Sequence, residues 1–118
     1  MILYLIDMNI VTNGEKFNFH REHGNCMITG NGNNIFMKFC SGSFFLTGNG
    51  NVISAYGSKL QMKIVGNGNQ INTNGSVIWI DLVGNGNNFT INRTNLVHMT
   101  VNGTGNNVPH KNDSSQNM

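Results

Sequence analysis

The residues of this chain best suited to chemistry are His20, His23 and Cys26, set at His-x2-His-x2-Cys, and five scattered carboxylates. Two imidazoles and a thiolate form a donor set that zinc would accept. Residues three apart on a strand face opposite sides, however, so a strand through this stretch parts the donors and turns Cys26 toward a core. Acid–base catalysis needs two convergent carboxylates, and no two of Asp7, Glu15, Glu22, Asp81 and Asp113 share a column of the 18-residue repeat. No nucleophile is found with a base. No catalytic residue, metal or cofactor is therefore expected, and the chain does not read as an enzyme. Asp81 falls one repeat after Lys63, and a cross-strand pair of these two is expected to contribute ~0.2–1 kcal/mol.

What must position these residues is a repeat. Gly-Asn-Gly-Asn begins at Gly30, Gly48, Gly66 and Gly84, each 18 residues after the last. A fixed period of this size marks a repeat architecture. Thr12-Asn13-Gly14-Glu15 is a degenerate copy upstream, and Gly103-Thr104-Gly105-Asn106 another downstream, displaced by an insertion expected near Asn95 or Leu96. About six coils follow, in a single domain spanning 1–109 with a polar tail over 110–118.

Between the turns, apolar residues alternate with polar ones over five to seven positions, the period of a half-buried strand. Phe17, Ile35, Ile53, Ile71 and Phe89 form one inward column. Cys26, Phe44, Met62 and Ile80 form a second, and Ile28, Leu46, Ile64 and Leu82 a third. Each coil thus supplies two strands. Neither can cover its apolar face within the coil, but stacking coils pairs equivalent strands in parallel at ~4.8 Å and sets two sheets ~10 Å apart. The fold class is all-β, a narrow two-sided parallel β-solenoid, right-handed as parallel crossovers usually are. A three-sided left-handed helix is not expected, because its hexapeptide rhythm is absent.

The turn chemistry agrees. Glycine and asparagine tolerate positive φ. Asn31, Asn49, Asn67 and Asn85 are expected to stack as one ladder, and Asn33, Asn51, Asn69 and Asn87 as another. Calcium-binding solenoids also run on units of this length, but they need carboxylates where this chain has neutral Asn. The second turn, with Gly57-Ser58 and Gly75-Ser76 but also Phe39-Cys40 and Arg93-Thr94, reads as looser.

Composition narrows the function. A formal net charge of +2 with 10% charged residues gives no basic patch for nucleic acid. No apolar run approaches the ~20 residues of a membrane span. The apolar start, Met1 to Ile6, lacks a basic segment before it and a cleavage site after it, so an intracellular location is expected and Cys26 and Cys40 are expected to stay reduced. An ice-binding face needs unbroken ranks of Thr, and Thr29 and Thr47 are followed in their column by Val65 and Val83.

The outward positions carry residues that a solvated sheet does not need. Phe45, Trp79 and Met27 project from one sheet, and Phe36, Lys38 and Tyr56 from the other. Of these, Phe36, Lys38, Phe45, Tyr56 and Trp79 are the candidate partner-binding residues. Pro109 and the tail blunt one end of the stack, whereas Met1 to Leu5 offer no cap at the other, so that end is expected to pack against something.

The run Gly-Asn-Gly-Asn-x-(Ile/Phe) at 30–35, 48–53, 66–71 and 84–89 resembles the repeats of short Asn/Gly-turn parallel β-solenoid proteins. The resemblance covers 5–108 and implies architecture; such proteins share no common activity. The functional expectation is a non-enzymatic structural or assembly protein, docking to a protein partner or to copies of itself. The alternative is a surface-binding module for glycan or ice.

Overall fold

The computed structural model describes residues 5–109; the tail over 110–118 and the first four residues lie outside the described part. Eleven strands alternate between two parallel sheets. The larger holds β1 (Leu5–Val11), β3 (His23–Thr29), β5 (Ser41–Thr47), β7 (Lys59–Val65), β9 (Val77–Val83) and β11 (Asn95–Asn102), in that order. The smaller holds β2 (Lys16–His20), β4 (Asn34–Lys38), β6 (Val52–Tyr56), β8 (Gln70–Asn74) and β10 (Asn88–Asn92). This is a two-sided parallel β-solenoid.

The register is the repeat itself. Met8, Cys26, Phe44, Met62 and Ile80 are successive partners, as are Phe17, Ile35, Ile53, Ile71 and Phe89. One expectation needs correction. Among the described residues the stack has five complete coils rather than about six, because beyond β11 they make one bridge, Asn88 to Asn107, where a sixth strand of the smaller sheet would lie. The insertion expected near Asn95 or Leu96 is found there as Val97, since the register shifts between Leu96 and His98.

The core is a file of aliphatic columns. Ile28, Leu46, Ile64 and Leu82 from the larger sheet face Ile35, Ile53 and Ile71 from the smaller, all with 0% exposure. A further inward column, at the start of the larger sheet's strands, is filled by Leu60, Ile78 and Leu96 and left empty by Gly24 and Gly42. Below that vacancy lies a cavity of about 20 Å³, lined by Met8, Cys26, Met37, Cys40 and Phe44. At the last described strand Val101, which continues the Leu82 column, is 38% exposed, with no further described strand stacked on it.

The two glycines of each Gly-Asn-Gly-Asn turn answer different demands. A Cβ on Gly66 would stand 1.7 Å from the carbonyl oxygen of Gly48 in the coil below, so the stack closes there only without a side chain. At Gly68 there is open space, and the need is a φ of +64°, where glycine carries no Cβ penalty.

Candidate interaction faces

Both asparagine columns are ladders, and they run in opposite directions. The exposed Asn31, Asn49 and Asn67 each accept, through Oδ1, the backbone N–H of the equivalent residue in the next coil, at 2.8–2.9 Å. The buried Asn51, Asn69 and Asn87 accept the N–H of the preceding coil at 2.8–2.9 Å. Their Nδ2 groups donate to the preceding coil's glycine carbonyls, Gly30, Gly48 and Gly66. Each first turn is held from above and from below.

The second turn is as regular as the first, which corrects the expectation of a loose connection. Cys40, Ser58, Ser76 and Thr94 occupy one buried column. The Cys40 N–H donates to Ser58 Oγ and the Ser58 N–H to Ser76 Oγ, each at 3.0 Å. The residue before each of these four, and Arg21 before Glu22 one coil earlier, adopts positive φ whatever its type: Arg21 at 59°, Phe39 at 58°, Gly57 at 59°, Gly75 at 63° and Arg93 at 50°. Three of the five are not glycine. Such a conformation costs a side-chain-bearing residue ~1–2 kcal/mol, so these three are held there by the stack.

Two of the three strained residues build the most conspicuous surface of the molecule. The Phe39 ring lies over Gly57, where a Cβ would come within 2.6 Å of it, and meets the Tyr56 ring edge-on at 6.4 Å. His20 packs at 6.0 Å on its other side. The Arg21 guanidinium stands 5.2 Å from the centre of the Phe39 ring, and Lys38 Nζ 5.4 Å from it and 5.9 Å from that of Tyr56. Phe36, two residues before Lys38 on β4, shares the outward face. Phe36, Phe39 and Tyr56 are 39–46% exposed.

The candidate residues thus divide between two faces. Phe36, Lys38 and Tyr56 gather on the smaller sheet, joined by Phe39 and Arg21, which sequence reasoning passed over. Phe45 and Trp79 lie on the larger sheet and are half-buried, with Lys63 Nζ 5.6 Å from the ring centre of Phe45 and Lys59 Nζ 6.0 Å from that of Trp79. Lys63 and Asp81 are cross-strand neighbours as expected, but Asp81 Oδ1 accepts the Thr100 hydroxyl at 2.6 Å while Lys63 turns to Phe45.

The residues with chemical potential disperse. His20 packs at a tilt against Phe39, His23 Nδ1 is hydrogen-bonded to Ser41 Oγ, and Cys26 lines the cavity, so the three do not converge. The His23–Ser41 pair is a nucleophile beside a base that the linear sequence hides, because 18 residues separate two side chains in one column. The Ser41 N–H is engaged by the Glu22 carbonyl, which removes one donor from any oxyanion site there. Both thiols are free; burial, with Cys40 nearby, pushes Cys26 up to about 11, and burial raises Cys40 as well. Thiols so shifted stay protonated and weakly nucleophilic near neutral pH.

Among the described residues, no group of three or more His, Cys, Asp or Glu side chains could hold a metal ion, and no helix is long and apolar enough to cross a membrane. Comparison of the chain with protein-family models, curated proteins and solved structures finds no match.

Proposed function

We propose that this chain is a non-enzymatic structural module, an intracellular solenoid of the short Asn/Gly-turn kind, that docks into a larger protein complex. The docking edge is the line where the second turn meets the smaller sheet. One observation carries the reading: Phe36, Phe39 and Tyr56 are three of the six large apolar residues exposed among the described ones, Phe36 and Tyr56 lining one depression and Arg21 and Lys38 held against the rings of Phe39 and Tyr56. Aromatic residues and Arg are enriched at interfaces, the aromatics because they bury much area with few rotatable bonds and Arg because its planar guanidinium both stacks and pairs with carboxylates.

Backbone strain supports the same place. Two neighbouring coils forgo the glycine that Gly57 and Gly75 provide and hold Arg21 and Phe39 at positive φ, a local cost with no return inside the core. The two cations favour a partner that presents carboxylates around an apolar centre. The reduced state of Cys26 and Cys40 is in keeping with an intracellular setting.

The test uses the full chain. A partner captured from its native cell extract is identified, purified and mixed with the chain in the analytical ultracentrifuge, and the chain alone is run beside it. The double substitution of Phe39→Ser and Tyr56→Ser should weaken the mixed complex by about tenfold or more while circular dichroism stays unchanged. Undiminished binding by that variant would sink the reading, and so would a chain that stays a monomer with every extract.

A further inference from the structure

The larger sheet's outer surface is not flat. Ser41, Gly42 and Ser43 on β5 are small, whereas Lys59 and Gln61 on β7 and Trp79 on β9 are long. The drop between them forms a groove of about 470 Å³. That is the size range of sites for small molecules, which combine an apolar wall with a few polar groups. Here the wall is the Trp79 indole. It is half-buried and stands directly beside Gln61 in the register, so the sheet fixes its position. The polar groups are the Ser43 hydroxyl and the Gln61 amide, beside the Ser41 hydroxyl that His23 Nδ1 already engages. Lys59 is the single charged residue lining the groove, its ammonium 6.0 Å from the indole centre.

We propose that this groove binds a pyranose ring bearing a carboxylate, a hexuronate. A pyranose has one face of C–H groups and a rim of hydroxyls. The C–H face matches the flat indole, and the rim faces donors and acceptors at Ser43 and Gln61. With a neutral sugar Lys59 keeps only its place over the indole, whereas a carboxylate on the ring draws the ammonium off it into a charge-assisted hydrogen bond. A nucleotide would also stack on Trp79, but the groove offers no second aromatic to sandwich a base and one cation for its phosphate. The site is on the opposite sheet from Phe36, Lys38 and Tyr56, so it stands or falls independently of the docking edge.

Trp79 is the chain's one tryptophan, so its emission reports this groove alone. The probes are methyl β-glucuronide, methyl β-glucoside and uridine monophosphate, titrated into the full chain at constant ionic strength. The expected result is a saturable change with the glucuronide, about tenfold tighter than with the glucoside. Lys59→Met should bring the glucuronide down to the glucoside's affinity and leave the glucoside unchanged. Ser43→Val, an exposed β-strand position, should narrow the groove and weaken both sugars by about tenfold with the melting curve intact. Three results would each overturn the proposal: no saturation by about 50 mM glucuronide, equal affinity for the two sugars, or tighter binding of the nucleotide.

Discussion

Asn67 and Asn69 stand two residues apart in one turn and reach in opposite directions along the stack. The Asn67 side-chain Oδ1 accepts the N–H of Asn85 in the following coil, while Asn69 Oδ1 accepts the N–H of Asn51 in the preceding one and Asn69 Nδ2 donates to the Gly48 carbonyl. Asn67 is exposed and Asn69 is 1% exposed. The same side chain at the two places therefore has a different energetic weight. Water can replace the bond that Asn67 makes, but it cannot reach the groups that Asn69 satisfies.

Asn69→Ala should accordingly destabilise by about 2–3 kcal/mol, and Asn67→Ala by only about 0.5–1 kcal/mol. Urea unfolding of the two variants beside the parent chain measures the difference. Equal losses would mean that burial does not set the strength of the ladder.

Gly66→Ala should cost more than about 4 kcal/mol or prevent folding, because its Cβ would enter the Gly48 carbonyl at 1.7 Å and the coils would have to part. Gly68→Ala meets open space and should cost about 1–2 kcal/mol through its backbone conformation. Thermal melting of both variants checks the order. A Gly66→Ala chain as stable as Gly68→Ala would contradict the close contact.

Ile71 and Ile80 lie in the middle of the inward columns with 0% and 1% exposure, so Ile71→Ala and Ile80→Ala should each lose about 2–5 kcal/mol. Val101→Ala, at the uncovered end of its column, should lose less than about 1 kcal/mol. Stability that depends equally on all three would place the end of the stack elsewhere.

The parts of this fold legible in the sequence are those in which side-chain type and backbone demand coincide. Gly30 to Asn33 and its copies announce the first turn because both glycines and both asparagines are needed there. The second turn is concealed because Phe39 and Arg93 adopt a glycine-like φ, and because Cys40, Ser58 and Thr94 share one column under three residue names. The same concealment hid Phe39 and Arg21 from the candidate face, since residues assigned to a loose turn have no direction in which to point. Gly24 and Gly42 masked the inward column of Leu60 and Ile78 in the coils that contain them. Alternation located Phe45 and Trp79 correctly on the outer surface, but their partial shielding by Lys63 and Lys59 depends on rotamers that no periodicity encodes.

Cys26 gives the chain a dependence on alkaline pH. Burial makes its thiol harder to ionise in the folded chain, moving it from 9.0 to about 11. The unfolded chain therefore releases the proton first as pH rises. The contribution of Cys26 is full below about pH 9 and is lost as pH climbs through about 11, with Cys40 shifted in the same direction. Urea midpoints across this range should fall less steeply for Cys26→Ala than for the parent chain. Parallel curves would show that the thiol ionises equally in both states.

Phe39 and Arg93 separate the needs of the fold from those of docking. Both hold positive φ in the same column, at 58° and 50°, where Gly57 and Gly75 sit without strain. Arg93 is exposed, so Arg93→Gly should relieve strain and stabilise by about 1 kcal/mol with no effect on partner binding. Phe39→Gly relieves the same strain but forfeits the ring contacts with Tyr56, Arg21 and Lys38, which are together of comparable size, so its stability should change by less than about 1 kcal/mol. Partner binding, measured by ultracentrifugation on the same samples, should nonetheless fall by about tenfold or more for Phe39→Gly alone. If Phe39→Gly unfolds the chain, the ring belongs to the internal packing of the solenoid. If it leaves both stability and binding untouched, the strain at Phe39 serves neither, and the docking edge must lie away from the second turn.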